Sequence, residues 1–313
     1  MFDLLYLGTS ASAPAVRRGL PSMIIMHNEL RFMIDCGEGT QRQILASRIG
    51  LKKLDKILIT HGHLDHILGL AGLLSTILRW ETLDGMSIYG GADAVERIEK
   101  LLYDVVLCGK RTPVPLRIQK LEKGLFFECK DLTLSAFPVT HRGTESFGFS
   151  FEEKGHRPFL ADKAEALHIP QGPWRKDLVN GKTIALPDGR TIYPEEVLGV
   201  YQPGVKLVVV GDTGNENELI PYAADADVLS IESTYLEEDA EMAHIYSHLT
   251  AKRAATLAKE AGVKTLILTH LSRRYRERDI LNEAREIFPN TLVARDLDQY
   301  QIKQGEVVKQ DKP

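Results

Sequence analysis

The sequence predicts a layered α/β fold, and three observations support that prediction. Short runs of β-favouring apolar residues alternate with segments of helical periodicity, as in sheets packed against helices. The alternation occurs in two comparable halves, separated by a stretch from residue 156 to residue 204 in which it stops. Several apolar runs end at a histidine or an aspartate. Because open α/β sheets bind ligands at the carboxyl ends of their strands, these residues indicate a site.

The first half opens with a predicted strand over residues 2–7 and a turn of small residues over 8–12. A hairpin follows, with strands at 22–26 and 30–34. The next predicted elements are a helix over 41–47, a strand at 57–60, a helix over 64–78, a strand at 86–89, a helix over 94–106 and three short strands between 116 and 137.

The second half repeats this scheme. Its predicted strands cover residues 147–152, 206–210, 227–231, 264–269 and 291–294, and its predicted helices cover 250–261 and 277–287. The last residues, 304–313, are polar, and we expect a frayed tail there.

The stretch 156–204 is rich in proline, glycine and charge, and it contains the turn signals Asn180-Gly181 and Asp188-Gly189. Few of its apolar residues are placed to anchor it to a core. We therefore expect a flexible surface insertion, which is either functional or disordered.

Composition bounds the class of protein. Hydrophobic residues make up 43% and charged residues 26% of the chain, which is typical of globular proteins. The net charge of −4 means that a polyanion would need local basic patches. Three cysteines without a C-x-x-C pair favour a reducing cytoplasm. We expect no secretory signal and no membrane span, because the start lacks a basic region and the most apolar run, 67–78, is short.

Metal-ligand residue types are concentrated in one stretch that contains His61, His63, Asp65 and His66. Imidazole and carboxylate groups this close together suit a borderline metal such as zinc. His61 and His63 can share one side of an extended segment, whereas the adjacent Asp65 and His66 diverge. One loop can thus serve two ions, as in two-metal hydrolases. The alternative is a polar turn between a buried strand and a helix.

Three further apolar runs each place one potential ligand at a predicted strand end, namely His141, Asp212 and His270. A single histidine or aspartate at a strand end is more often a helix cap or a core group than a metal ligand. Together with the histidine-rich stretch they make four strand ends of one kind, which favours a shared site.

The segment His61-Gly62-His63-Leu64-Asp65-His66 resembles the HxHxDH signature of the metallo-β-lactamase superfamily, and His141, Asp212 and His270 follow in the order of its later ligand motifs. Within that superfamily, nearly the whole chain resembles ribonuclease Z, the endonuclease family that removes the 3′ trailer from precursor tRNA. The resemblance implies a four-layer αββα sandwich, the metallo-β-lactamase fold, in a single domain over residues 1–313. It also implies that residues 156–204 form a protruding arm that grips tRNA.

The resemblance assigns the metal ligands. One zinc would take His61, His63 and His141, and a second would take Asp65, His66 and His270, with Asp212 bridging both. Mn²⁺ or Mg²⁺ could substitute for zinc. Asp35 lies where the superfamily has an aspartate that supports a metal-binding histidine from behind. Two ions about 3.5–4 Å apart would share a water and lower its pKa. Asp65 would orient that water.

A proton donor for the leaving 3′ oxygen is predicted at Glu232 and His248, because a histidine bonded to a glutamate can act as a general acid. Ribonuclease Z has such a pair, in motifs whose flanking residues differ from those here. The alternative for His248 is a surface residue that caps the helix beginning near Thr250. His244 lies nearby in a polar stretch.

Two groups of residues are expected to contact RNA. In the arm they are Gly172, Pro173, Arg175, Lys176 and Lys182, with Trp174 as a packing anchor. After His270 they are Arg273, Arg274 and Tyr275, for which a solvated helix start is the equal alternative. The family's usual Arg-Asn near the second strand is replaced by Arg17-Arg18, so cleavage after the discriminator base and cleavage after CCA both stay open.

The leading interpretation is a zinc-dependent endoribonuclease that acts on precursor tRNA in the cytoplasm, and the resemblance implies a homodimer. A small-molecule or cyclic-nucleotide zinc phosphodiesterase of the same superfamily would need no long arm. A lactamase or thioesterase is disfavoured by the full ligand set. A di-iron oxidoreductase would have an acidic ligand in place of His63. A non-catalytic RNA-binding scaffold would lack some ligands, and none is missing from the sequence.

Overall fold

The computed structural model describes residues 1–80, 83–112, 114–303 and 306–310. These residues divide into two compact units. The larger contains Met1–Glu152 and Val205–Pro313, and the smaller contains Glu153–Gly204.

The first sheet of the larger unit contains eight strands in the order β17-β16-β1-β2-β3-β4-β5-β6. The strands from β17 to β3 are antiparallel, and those from β3 to β6 are parallel. Their bounds are β1 Phe2–Gly8, β2 Ser22–His27, β3 Leu30–Ile34, β4 Lys56–Leu58, β5 Met86–Gly90, β6 Leu116–Lys120, β16 Gln299–Lys303 and β17 Glu306–Gln310.

The second sheet contains seven strands in the order β15-β14-β13-β12-β9-β8-β7. Its strands from β15 to β12 are parallel, and β12 pairs with β9 in the antiparallel sense. Their bounds are β7 Gly124–Glu128, β8 Leu132–His141, β9 Thr144–Glu153, β12 Lys206–Val209, β13 Val228–Glu232, β14 Thr265–Thr269 and β15 Thr291–Val293.

The helices of the larger unit cover the outer faces of the two sheets, because strand residues alternate between an inner and an outer core. Inward-facing residues of both sheets share one core, in which the rings of Phe2 and Phe151 meet edge to face at 6.3 Å. The helices are α1 Thr40–Ala46, α2 Leu64–Ile67, α3 Gly69–Trp80, α4 Ala92–Glu99, α8 Ile220–Ala223, α9 Ala240–Ile245, α10 Ala251–Glu260 and α11 Glu277–Ile287. Helices α1 to α4 contribute to a core on the first sheet and α8, α10 and α11 to one on the second, so the predicted αββα sandwich is confirmed.

The smaller unit is folded, whereas the sequence predicted a flexible insertion with few apolar residues to anchor it to a core. It contains α5 Ala161–Ala166, α6 Pro173–Val179, a two-stranded sheet of β10 Ile184–Ala185 and β11 Thr191–Ile192, and α7 Pro194–Val197. Singly spaced apolar residues converge on a core of their own, which Trp174 joins, as predicted for a packing anchor. At its neck, His156 and Gln202 exchange two backbone hydrogen bonds.

Three predicted elements differ from the structure. The helix predicted over 64–78 is two helices, α2 and α3, and the second part of the helix predicted over 94–106 is a π-helix, Lys100–Val106. The expected frayed tail is wrong for residues 306–310, which form β17 against β16. Residues 304, 305 and 311–313 of that tail lie outside the described residues. Within the described residues, no helix is both long enough and apolar enough to cross a bilayer.

Candidate metal centre

The predicted ligands converge at the carboxyl ends of strands from both sheets. His61 lies just beyond β4, His141 is the last residue of β8, and His270 directly follows β14. Asp212 lies beyond β12, and His66 lies in α2, which begins immediately after His63. Strands of two facing sheets thus bring together residues more than 200 positions apart in the chain.

A first group contains His61, His63, His141 and Asp212, whose ligand atoms all lie within 4.8 Å of one another. His63 Nδ1 is 2.9 Å from His61 Nε2 and 3.3 Å from His141 Nε2. Three imidazole nitrogens therefore face one point, an arrangement that suits a single cation.

A second group contains Asp65, His66 and His270, again with ligand atoms within 4.8 Å. Asp212 lies between the two groups. Its Oδ2 is 3.7 Å from His61 Nε2 and 3.8 Å from His141 Nε2. Its Oδ1 is 3.5 Å from His66 Nε2 and 3.2 Å from His270 Nε2. Each oxygen of this one carboxylate faces a different group.

Three buried polar atoms test whether these residues fit a metal. His66 Nε2, His270 Nε2 and Asp212 Oδ1 are buried without a hydrogen-bond partner among the described residues. A buried polar atom left without a partner costs about 1–3 kcal/mol. All three atoms face the second group, so a bound cation would satisfy them together, and the residues fit a metal ion.

The outward-facing nitrogens of these imidazoles are held by other groups. His66 Nδ1 lies 2.7 Å from Asp35 Oδ2, and His61 Nδ1 lies 3.1 Å from Thr60 Oγ1. Hydrogen bonds of this kind fix the ring orientation and the tautomer of a metal-binding histidine. Asp35 therefore lies where the sequence predicted it, behind a candidate ligand.

His141 and His270 are held in the same way. His141 Nδ1 lies 2.8 Å from the carbonyl oxygen of Ser247, and His270 Nδ1 lies 2.9 Å from Thr234 Oγ1. Each ring thus keeps its Nε2 directed at the other candidate ligands.

Burial controls the charge of the first group. It lowers the pKa of His61 well below the ordinary histidine value, and the charges of neighbouring histidines lower it further. Burial also lowers the pKa values of His63 and His141. Neutral imidazoles are the form that binds metal ions.

Interactions between opposite charges determine the pKa values in the second group and of Asp212. Burial would raise the pKa of Asp65, but the nearby His270 ring, whose Nε2 lies 3.8 Å from Asp65 Oδ2, and the charge of His66 lower it to about 2. Burial opposes ionisation of Asp212 as well, and the charges of His270 and His66 lower its pKa well below the usual value. Burial lowers the pKa of His66, but the charges of Asp35 and Asp212 raise it well above the ordinary value. Both carboxylates are therefore ionised and able to bind a cation.

His248 and Glu232 form the pair predicted for proton transfer. Both are buried, and His248 Nδ1 lies 2.8 Å from Glu232 Oε1. Burial lowers the pKa of His248, but the charge of Glu232 and their hydrogen bond raise it to about 9. His248 also forms a third group with Asp212 and His270. The alternative of a surface histidine is wrong, whereas His244 is exposed.

The loop after β1 also reaches the site. The backbone N–H of Ser12 donates to Asp65 Oδ2 at 3.1 Å, from a left-handed conformation with φ of 55°. A non-glycine residue in this region marks local strain, which is common at functional sites.

The residues predicted to contact RNA differ in their surroundings. Lys176, Arg273 and Arg274 are exposed. Lys182 is exposed and pairs with Asp177 at 3.3 Å.

Gly172 and Pro173 are also exposed. They begin α6, where Gly172 has φ of 113° and Pro173 takes the first helical position, which proline favours. The start of helix α6 therefore explains the Gly-Pro pair without any contact to RNA.

Two of the residues predicted to contact RNA already have partners within the protein. Arg175 donates twice to the carbonyl of Ile169, and its guanidinium lies 5.9 Å from the ring of Phe159. It is therefore engaged within the insertion. The Tyr275 hydroxyl donates to Asp239, and the half-buried ring packs against the core of the second sheet.

Four residues that contact candidate ligands or their carboxylate supports were not predicted from the sequence, namely Ser12, Thr60, Thr234 and Ser247. Two of them had a usable signal, because Thr60 directly precedes His61 and Thr234 lies two residues after Glu232. Ser12 and Ser247 act through their backbones, which side-chain chemistry does not reveal.

The chain is similar to a family model and to several known proteins. The family model described as anti-Pycsar protein Apyc1 matches residues 2–166. A ribonuclease Z of Bradyrhizobium diazoefficiens is 45% identical over 298 residues, which are 95% of this chain and 99% of that protein. The crystal structure of human tRNase Z, short form, is similar with a TM-score of 0.69 at 25% identity, covering 96% of this chain and 99% of that one.

A further solved structure supports the fold alone. The metallo-β-lactamase fold protein YhfI of Bacillus subtilis is similar with a TM-score of 0.68 at 15% identity, covering 96% of this chain and all of that one.

Proposed function

Since the chain belongs to the ribonuclease Z family, a family of metal-dependent hydrolases, we propose that it is an endoribonuclease that removes the 3′ trailer from precursor tRNA. Over residues 2–166 it also belongs to the family described as anti-Pycsar protein Apyc1. The product expected is a tRNA with a 3′-hydroxyl and a trailer that carries the phosphate.

The proposal includes two zinc ions per chain. His61, His63 and His141 would hold one, and Asp65, His66 and His270 would hold the other. The single observation that supports this is the position of Asp212, whose two oxygens face the two groups separately. A pair of bound ions supplies an activated water and offsets negative charge on the phosphate oxygens.

The protein's own residues have distinct tasks around the phosphodiester. Asp65 is ionised and receives the Ser12 N–H on one oxygen, so its carboxylate is fixed in orientation. His248 has its Nδ1 bonded to Glu232, which leaves Nε2 to give a proton to the leaving 3′ oxygen. The charge of Glu232 keeps His248 protonated, the form in which a general acid must begin.

The insertion would bind the body of tRNA. Its six lysines and arginines balance its six aspartates and glutamates, so the net charge of the insertion does not explain RNA binding. The exposed Gly172-Pro173 turn and the exposed Lys176, in the helix that follows, are the contacts we propose. At the centre, the exposed Arg273 and Arg274 would contact phosphates.

The proposal also includes a homodimer, as the family resemblance implies, and a cytoplasmic location, which the three scattered cysteines favour. Light scattering on the purified protein tests the first, and fractionation of cells tests the second.

The decisive experiment incubates the zinc-loaded protein with a 3′-extended tRNA transcript and maps both new ends. The wild type should release one trailer, and Asp65→Asn should abolish cleavage while tRNA binding stays measurable. Metal analysis should find close to two zinc ions per chain.

The same preparation is assayed on a cyclic nucleotide. Hydrolysis of the cyclic nucleotide without tRNA cleavage would replace the proposal with a small-molecule phosphodiesterase. Binding of tRNA without hydrolysis of either substrate would indicate a scaffold.

A further inference from the structure

A buried carboxylate and a threonine together support His61 and His66, one histidine from each metal group. Asp35 Oδ1 accepts the backbone N–H of Thr60 at 2.8 Å, and Asp35 Oδ2 accepts the hydroxyl of Thr60 at 2.8 Å. The same Oδ2 lies 2.7 Å from His66 Nδ1, while the Thr60 hydroxyl lies 3.1 Å from His61 Nδ1. The carboxylate thus holds one imidazole directly and a second through the threonine.

The same arrangement occurs in the second half of the chain with different residues. Glu232 Oε2 accepts the hydroxyl of Thr234 at 2.5 Å, and Glu232 Oε1 lies 2.8 Å from His248 Nδ1. The Thr234 hydroxyl lies 2.9 Å from His270 Nδ1. All four supporting residues are buried, with Thr60 and Thr234 at most 3% exposed.

The proton count of a hydroxyl fixes the direction of these bonds. Each threonine has one hydroxyl proton, and an ionised carboxylate can only accept it. The threonine oxygen must then accept the Nδ1–H of its histidine. His61 and His270 are therefore held in the tautomer with an unprotonated Nε2, which is the nitrogen that faces the other candidate ligands.

We propose that Thr60 and Thr234 are positioning residues that set the tautomer and direction of His61 and His270 for metal binding. The inference rests on the metal centre proposed above and adds the residues that hold its histidines in place. Nothing in a lone threonine at a strand end would require this role. The evidence for this positioning role is that each threonine contacts both a carboxylate and an imidazole, and that this occurs twice in one chain.

The two supports also connect the parts of the centre. Asp35 and Thr60 hold one imidazole from each metal group, so they join the first group to the second. Glu232 and Thr234 hold His270 and His248, so they join the second group to the proton donor. A change at Thr60 should therefore affect metal binding alone, whereas a change at Thr234 should affect metal binding and proton transfer.

The test compares zinc affinities of the full-length protein, measured by competition with a chromophoric chelator. Thr60→Val and Thr234→Val keep the shape of the side chain and remove its hydroxyl. We expect each to weaken zinc binding by about 10- to 100-fold, the usual effect of losing a ligand's supporting partner. Thr60→Ser and Thr234→Ser keep the hydroxyl and should bind zinc like the wild type.

A matched control is Thr291→Val, which removes a buried, hydrogen-bonded hydroxyl at the start of β15, at the opposite end of the strand from the centre. It should leave zinc affinity unchanged. At saturating zinc, Thr60→Val should recover wild-type kcat on a 3′-extended tRNA, and Thr234→Val should retain a lower kcat at unchanged KM.

Wild-type zinc affinity in both valine variants would overturn the inference, as would an equal loss in Thr291→Val. If a valine variant does not fold, as judged by circular dichroism, Thr60→Ala and Thr234→Ala carry the same expectation. Failure of the wild type to bind zinc would instead overturn the proposed metal centre, and the inference with it. Zinc binding with the expected losses but without tRNA cleavage would support the inference and contradict the proposed substrate.

Discussion

His244 and His248 lie four positions apart, but only His248 is buried and bonded to a carboxylate. We predict that His248→Ala lowers kcat on precursor tRNA by about 10²- to 10⁴-fold, the range typical of losing a general acid. KM should change little, because the role proposed for His248 is to protonate the leaving group and not to bind the substrate. His244→Ala is the matched control and should retain wild-type turnover. Steady-state kinetics distinguish them, and a fully active His248→Ala would remove the proton-donor role.

The three free cysteines differ in reactivity for a physical reason. Burial raises the pKa of the Cys36 thiol to about 12, whereas Cys108 is exposed. Because the thiolate is the reactive form, we predict that a thiol reagent at pH 8 labels Cys108 first and Cys36 only after unfolding. Mass spectrometry of partly labelled protein measures the order. Cys108→Ser should lose the fast phase, and rapid labelling of Cys36 in the native protein would contradict its burial.

Residue types and spacing predicted the candidate ligands, and the structure brings all seven together. They did so because metal ions bind only a few side-chain types, and these residues lie close together or at strand ends. The order of the later ligands came from the family resemblance. The threonine supports were not predicted, since a threonine before a histidine is common and its hydroxyl acts only through a carboxylate distant in sequence. Asp35 lies 25 positions before Thr60, so only the folded chain reveals that contact.

Among the secondary-structure elements, α2 and α3 meet at Gly69, where a side chain has no room. A Cβ at Gly69 would lie 2.0 Å from the carbonyl oxygen of Gly37, whereas a Cβ at Gly72 would meet only the side-chain end of Gln41 at 3.2 Å. We predict that Gly69→Ala destabilises the protein by at least about 1–3 kcal/mol through overpacking. Gly72→Ala should be neutral or stabilising by up to about 1 kcal/mol, because alanine favours a helix.

Urea unfolding followed by circular dichroism measures both changes. Equal stabilities for the two variants would contradict the close approach of α3 to Gly37. Zinc affinity serves as a second readout, because Cys36, Gly37 and α2 lie beside Asp35 and the histidine-rich stretch.

Most elements were predicted within a few residues, because their apolar periodicity is strong. The break between α2 and α3 was missed, since it depends on a backbone contact with Gly37 and leaves Leu68 40% exposed. The π-helix at Lys100–Val106 has helical periodicity in the sequence and no signal of its different hydrogen bonding. Strand β17 was missed because it is polar, as edge strands commonly are.

At the scale of the whole molecule, a deletion can test whether the smaller unit contributes to tRNA binding separately from hydrolysis. Replacing residues 157–200 with a short glycine-serine linker keeps the His156–Gln202 backbone pairing at the neck. We predict that cleavage of precursor tRNA falls far more than hydrolysis of a small phosphodiester such as bis(p-nitrophenyl) phosphate. The reason is that the arm would bind the RNA body while the metal centre acts on the bond.

The control for this deletion is thermal unfolding of the remaining protein, which should show a single transition. Equal loss of both activities in a folded deletion variant would remove the arm from substrate recognition. An unchanged rate on precursor tRNA would have the same consequence.

At this scale the sequence itself predicted only a layered α/β fold, and the four-layer order came from the family resemblance. Periodicity reports which residues are buried but not which sheet faces which. The core of the insertion was not predicted because its members, such as Ala164, Leu178 and Val197, are spaced singly among polar residues. Their convergence depends on turns that place them together.

The neck of the insertion has a consequence for the history of the protein. A Cβ at Gly204 would lie 1.9 Å from the carbonyl oxygen of Glu153, so the chain leaves and returns at nearly the same point. Segments with adjoining ends can be lengthened, shortened or exchanged at a small cost in loop-closure entropy. With the RNA-binding role proposed for the insertion, selection could change which RNAs bind while the residues of the metal centre stay the same.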